Sequence, residues 1–315
     1  MDDVLPLPAH PRLPLGVPFT VPQAHAVGID RNQLVRLTRA GHLRRVFRGV
    51  YVDGGAEDTP VTRAQALRLI VPPSVVVTEE LSAWVRGVDL KARGDHVVPP
   101  PLTVTAPLDR TRVRQRGTNG SRRMLEPRDV EELSGVRRTT SLRTAIDLGR
   151  KRARPRALAA LDALLHTGDF THAELFDEIA RFRGFRGVVQ LRELALVADA
   201  AAESPAESVM RLLWVDAGLP PPTTQISVCN ALGVEIYRLD LGLPELRYAT
   251  EYDGLAWHSS PEQRAHDRRR RARLAEQGWV IDVLGKREVF EQPHLAVEVF
   301  RAGIARAAAR LRRTA

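Results

Sequence analysis

Hydrophobic positions recur along this chain at two spacings, and the changes between them mark its divisions. From Val21 to Ala40 apolar residues fall at helical intervals in two short runs. Thr20 precedes the first run as an N-cap and Gly28 closes it; Asp30 precedes the second, Arg31–Ala40, and Gly41 closes that. Leu34 and Leu37 then share an inward face, leaving Arg31, Asn32, Arg36 and Arg39 outside. His42 to Val52 suits a two-stranded wing carrying Arg44, Arg45 and Arg48. Two short helices, the second basic, followed by such a wing predict a winged helix-turn-helix over residues 20–60.

Residues 61–200 read as a mixed α/β and helical connecting domain. Helices are expected over Thr62–Ile70 and Thr78–Arg86, with Trp84 inward, and strands over Val75–Val77 and Leu102–Ala106. Arg110–Arg123 reads as a basic, Gly-containing loop, and Thr140–Leu148 as a helix in which Arg143 and Asp147, four apart, form an ion pair. Helices follow over Pro155–Leu165, Thr171–Ala180 and Val188–Ala198. Before the last stands Arg181–Gly187, RFRGFRG, in which arginine alternates with phenylalanine and glycine. Two accounts fit it equally: a surface that stacks on and grips nucleic acid, and a plain basic loop.

The last division, residues 201–315, opens with Ser204-Pro205 as N-cap and first residue of a helix through Trp214. Gln225–Cys229 is the first strand. Tyr237–His258 reads as two strands joined by a turn at Gly242–Glu245, so that Asp240 lies beside Glu251, and Glu251 and Asp253 point the same way. A helix over Pro261–Gln277, a strand over Val280–Leu284 and an amphipathic helix over Val297–Leu311 complete the chain. The expected class is therefore α/β, α+β overall, with an N-terminal winged helix and a C-terminal restriction-endonuclease-like mixed sheet flanked by helices.

Charge changes the picture from fold to partner. Among 315 residues the formal net charge is +9, and lysine contributes only Lys91, Lys151 and Lys286. So basic a chain favours an acidic polymer, nucleic acid first. G+C-rich coding DNA accounts for arginine in place of lysine, but not for the net charge. The lone Cys229 excludes an internal disulfide and a cysteine-based zinc cluster. No apolar run approaches the ~20 residues of a membrane span. The opening, residues 1–19, has acids and prolines where a signal peptide needs basic residues, and reads as an extended lead-in of a cytoplasmic protein.

Two resemblances follow from particular residues. Gly41, Leu43, Arg45, Val46, Arg48, Gly49, Val50 and Tyr51 follow a pattern found in the N-terminal winged helix of AbiEi-family antitoxins. Thr140–Leu148 resembles the segment that ends the second domain of that family. The resemblance implies DNA binding, with the second helix in the major groove and the wing on phosphate; Arg31, Arg36, Arg39, Arg44, Arg45 and Arg48 are then the contact residues, the alternative being a solvated basic face on a small protein-docking domain. It also implies a toxin partner.

The stretch from about Glu203 to Phe300 resembles the PD-(D/E)XK nuclease superfamily, and within it a family related to the very-short-patch repair endonucleases. The residues carrying this are Asp240, Pro244-Glu245-Leu246, Glu251-Tyr252-Asp253-Gly254, His258, Arg264, Asp267 and Gly278-Trp279. The superfamily's usual lysine is replaced by Asp253. The resemblance implies phosphodiester hydrolysis with Asp240 and Glu251 as ligands of Mg²⁺ or Mn²⁺ and Asp253 as a further ligand or a base. Glu207 is either a further metal-site carboxylate or a first-turn residue favouring its helix dipole. His258 is either a general acid–base group or structural. Arg264, Arg268 and Arg271 on the basic helix either anchor phosphate or form a solvated face. The sequence thus carries two functions: a DNA-binding protein with a metal-dependent endonuclease domain, or an antitoxin-like repressor whose nuclease fold is inactive. A neighbouring toxin gene would favour the repressor.

Overall fold

A computed structural model describes residues 12–90, 98–108, 110–114, 117–230, 232–253 and 261–314, without the side chains of 261–267 and 314. His258 and residues 1–11 of the expected lead-in lie outside the described residues. The chain divides into two compact units, Met1–Leu148 and Gly149–Ala315, and the class is mixed α and β throughout.

The first unit begins with a small three-stranded antiparallel sheet, order β1-β3-β2, from β1 (Phe19–Thr20), β2 (Leu43–Phe47) and β3 (Val50–Asp53). Helices α1 (Val21–Ala26) and α2 (Arg31–Arg39) stand between β1 and β2. Both start in full capping boxes. The Thr20 side chain accepts from the backbone N–H of Gln23, whose side chain returns to the Thr20 N–H; Asp30 and Gln33 do the same for α2. Each box satisfies two amide groups that a helix end leaves without partners. Leu13, Phe19, Ala24, Ile29, Leu34 and Leu43 close over one another as this module's core.

The rest of the unit is a five-stranded mixed sheet, order β6-β5-β4-β8-β7. Its strands are β4 (Val76–Val77), β5 (Leu102–Ala106), β6 (Thr118–Arg122), β7 (Val130–Leu133) and β8 (Val136–Thr139). Helices α3 (Pro60–Arg68), α4 (Glu79–Val85) and α5 (Ser141–Lys151) accompany it. The Arg110–Arg123 stretch is thus not all loop, since its second half forms β6 parallel to β5. Gly120 of β6 lets the preceding loop pass close, since a Cβ there would lie 2.1 Å from the Val113 carbonyl oxygen. Behind the sheet Arg143 bridges Asp129 at 2.7 Å and Asp147 at 3.2 Å, and Arg123 reaches both Asp147 and Glu79. Asp147 is fully buried, so the expected Arg143–Asp147 pair is part of a buried network.

In the second unit, helices α6 (Arg154–His166), α7 (His172–Ile179) and α8 (Val188–Val197) precede a three-layer arrangement. Its sheet has order β12-β11-β10-β9, from β9 (Thr223–Cys229), β10 (Glu235–Leu243), β11 (Tyr248–Tyr252) and β12 (Val280–Leu284). The first three strands are antiparallel neighbours and β12 runs parallel to β11. The parallel pair requires a crossover, which α10 (Pro261–Glu276) supplies. One face packs Trp214, Leu241, Leu243, Tyr248 and Phe300, drawn from the sheet, α9 (Pro205–Asp216) and α11 (Pro293–Thr314). The other packs Ile226, Ala249 and Leu274 of α10. The β10–β11 turn lies later than Gly242–Glu245: Gly242 is in β10, opposite Ala249, and a Cβ there would lie 2.1 Å from the Tyr248 carbonyl oxygen. The chain reverses through Pro244–Leu246, and the positive φ falls on Arg247, at 51°.

Candidate functional site

Two groups of side chains bear on function, one in each unit. In the first, α2 and the β2–β3 hairpin form a basic rim. Leu34 anchors α2 inward, and helical geometry turns Arg31, Arg36 and Arg39 out, all exposed. On the wing, Arg45 and Arg48 are exposed, and Gly49 (φ 79°) closes the tight reversal between Phe47 and Val50. Arg44 differs: it is half-buried, 3.5 Å from an Asp58 carboxylate that also holds Arg63 at 2.8 Å. Five of the six arginines are therefore presented outward, and Arg44 ties the wing to the start of α3.

In the second unit the sheet brings Asp240 and Glu251 together. The register Leu241↔Thr250 sets them next to each other on adjacent strands, and Asp240 accepts a hydrogen bond from the Tyr252 backbone N–H at 2.9 Å. Burial pushes the Asp240 carboxyl up to about 7, the charges of Glu207 and Glu251 push the same way, and the Tyr252 N–H and Arg270 oppose. Glu207 sits in the first turn of α9, where its carboxylate accepts from the Glu203 N–H at 3.0 Å and from the Gln225 side chain at 2.8 Å. It is a first-turn residue of α9 whose charge also acts on Asp240.

The positive charge at this place comes from the chain itself. Arg270 of α10 binds both oxygens of Glu251, at 2.6 and 2.7 Å, donates to the Arg238 carbonyl at 3.1 Å and lies over the Tyr237 ring. The bidentate fork matches a carboxylate well. Asp253, just past β11, pairs its N–H with the Leu284 carbonyl. Among the described residues no three carboxylate or imidazole side chains gather where one ion could be held. Among the described residues Asp240, Glu251 and Asp253 thus do not gather as a three-carboxylate group, and Glu251 is neutralised by Arg270.

Arg270 is the residue the sequence reading missed, having chosen Arg264, Arg268 and Arg271 from the same helix. Arg268 and Arg271 are exposed, and the side chain of Arg264 lies outside the described residues. A signal was available in the spacing. Leu274 is the buried residue among the described side chains of this helix, and a residue four positions earlier lies on the same face.

Residues 16–52 match the family model described as "Transcriptional regulator, AbiEi antitoxin", and residues 75–196 the model described as "AbiEi antitoxin C-terminal domain". Two proteins of Mycobacterium tuberculosis, "Uncharacterized protein Rv2248" of strain H37Rv and "Uncharacterized protein MT2308" of strain CDC 1551, are each 34% identical over 275 residues. The alignments cover 87% of this chain and 97% of each relative. The chain belongs to one family with these proteins. Within it, residues 16–196 carry both AbiEi antitoxin domains, as the winged-helix and Thr140–Leu148 resemblances implied. Alignments of this length extend past residue 196, so the family shares more than the antitoxin domains. Neither AbiEi model reaches the stretch that resembles the nucleases, and that resemblance gains no support from the matches. No described helix is long and apolar enough to cross a membrane.

Proposed function

We propose that this protein is a DNA-binding regulator of the AbiEi antitoxin type, acting with a toxin partner and using its winged helix to bind duplex DNA. The observation that carries this is the exposed arginine set on α2 and the wing, within the stretch that matches the antitoxin regulator model. Arg31, Arg36 and Arg39 are placed to accompany α2 into a major groove, and Arg45 and Arg48 to grip phosphate. The test is binding of the full chain to DNA from upstream of its own gene, across about 50 to 200 mM salt. Arg36→Ala and Arg45→Ala should each weaken binding. Each lost phosphate contact should lower the slope of log K against log salt by about 0.9. Unchanged affinity and slope in both variants would remove the reading, while Arg44→Ala should act mainly on stability through Asp58.

The second reading is hydrolysis of phosphodiesters at Asp240 and Glu251 with Mg²⁺ or Mn²⁺. It is favoured by one observation, a buried Asp240 beside Glu251, whose carboxyl is pushed up to about 7 by burial first and by the charges of Glu207 and Glu251 second. It is the weaker reading, because Arg270 already neutralises Glu251. Metal-dependent nicking of a supercoiled plasmid by the full chain, abolished in Glu251→Gln, would establish it. Nicking that survives Glu251→Gln would assign the activity elsewhere.

A further inference from the structure

The RFRGFRG segment is not used by either reading, and the fold gives it a second basic neighbour. Residues 150–156 contribute five basic side chains, of which Arg154 is paired with Glu193 and Asp216, and residues 181–187 three more, with no acid in either segment. The two are held side by side. Arg150 donates to the Arg186 carbonyl at 3.1 Å, and the Gln190 side chain donates to the carbonyls of Gly149 at 2.8 Å and Arg152 at 2.9 Å. Gly187 (φ 81°) makes this contact feasible, since a Cβ there would fall 2.0 Å from the Arg150 carbonyl oxygen.

The aromatic rings within this basic surface are arranged rather than collapsed. Phe182 is buried and meets Phe185 edge-on, with ring centroids 5.6 Å apart. The Arg150 guanidinium lies 4.9 Å from the Phe182 centroid and 5.3 Å from that of Phe185, and Arg181 lies 4.9 Å from Phe182. Phe185 nevertheless remains 53% exposed. Arg183 and Arg186, on either side of it, are exposed too. Arg181 is matched by Glu178 at 2.9 Å, so the outward positive charge centres on the Phe185 side of the loop. The N-terminus of α8, with no acid in its first turn, adds to the same potential.

A duplex keeps its bases stacked on one another and offers this surface only phosphate, which leaves an open phenyl ring without a role. A single strand offers phosphates and unstacked bases together, the combination that arginine interleaved with an exposed aromatic ring recognises. We propose that the Arg181–Gly187 loop with the adjoining 150–156 segment is a second nucleic-acid surface, which binds single strands. A base stacks on Phe185, and the flanking phosphates meet Arg183 and Arg186. This surface lies outside the winged helix and does not depend on it.

The test uses the full chain with fluorescein-labelled dT20 and, separately, a duplex of random sequence. Phe185→Ala should weaken dT20 binding roughly tenfold, since stacking on one aromatic ring is worth about that much or more. Phe185→Trp should restore binding. Arg183→Ala and Arg186→Ala should each lower the dT20 salt slope by about 0.7, and Arg45→Ala should leave dT20 binding unchanged while weakening the duplex. Absence of dT20 binding, or unchanged dT20 affinity in Phe185→Ala, would overturn the proposal. So would equal losses on dT20 and duplex from the arginine variants with none from Phe185→Ala, which would make the loop a general phosphate contact. Unchanged duplex binding in Arg45→Ala would count against the winged-helix reading and not against this one, whereas dT20 binding weakened by Arg45→Ala would overturn this one.

Discussion

Raising the pH from about 4 to 8 should destabilise the second unit, and Asp240→Asn should abolish most of that loss. In the folded protein the Asp240 carboxyl titrates near 7, against an ordinary value of 3.8. Between those values the folded state holds a proton that the unfolded chain has released, so stability falls as pH rises. No cost exists below about pH 4, and it is complete above about pH 7. A shift of this size is worth on the order of 4 kcal/mol. Asn keeps an oxygen to accept the Tyr252 N–H but carries no charge toward Glu207 and Glu251. At pH 8 Asp240→Asn should therefore exceed the wild type by an amount approaching that figure, and near pH 4 the two should converge. Urea titrations with hydrogen exchange read at β10 and β11 would place the effect in the second unit. A wild type whose stability there is flat from pH 4 to 8, or an Asn variant less stable at pH 8, would contradict the assignment.

What the sequence made legible follows from where single residues decide local structure. Thr20 with Gln23 and Asp30 with Gln33 fix the starts of α1 and α2 through contacts three residues apart, and such short-range chemistry is visible in a string. β5 and β12 have apolar content enough to show their limits. β6–β8 did not. β6 reads Thr-Asn-Gly-Ser-Arg, with only Gly120 buried, and it is a strand because β5 offers it a parallel edge. β7 and β8 are stabilised across the hairpin by pairs such as Glu131 opposite Arg138, 2.9 Å apart, which polarity alone would assign to a loop. The same limit applies to the sites. Asp240 and Glu251 could be placed by strand alternation. That one arginine among four consecutive ones neutralises Glu251 depends on how α10 lies on the sheet, which is a tertiary fact.

That arginine carries the other large effect. Arg270→Ala should destabilise the second unit by about 3 kcal/mol, the lower end of what removing one partner of a buried ion pair costs. Three losses coincide: both hydrogen bonds to Glu251, the donor to the Arg238 carbonyl, and the cation over Tyr237. Glu251 is only 9% exposed and cannot turn to water without breaking β11. The low end applies because the Arg270 side chain keeps about a quarter of its surface, 24%, in solvent. Adding Glu251→Gln to Arg270→Ala should recover most of the loss, since no uncompensated charge then remains buried. Arg270 also opposes the rise of the Asp240 pKa, so in Arg270→Ala the gain from Asp240→Asn should grow and reach completion at a higher pH, while its onset near pH 4 stays. These linked outcomes separate an electrostatic role from a packing one: a side chain that merely filled space would be costly to remove, but Glu251→Gln would not repair the damage and the Asp240 titration would stay where it was. Mn²⁺ adds a further discrimination. If the carboxylates can hold a cation once the arginine is gone, millimolar Mn²⁺ should restore stability in Arg270→Ala while leaving the wild type unchanged, by the linkage that favours any state a ligand binds. Stability of Arg270→Ala within 1 kcal/mol of the wild type, read at β10 and β11, would mean that Glu251 is held by something other than this arginine.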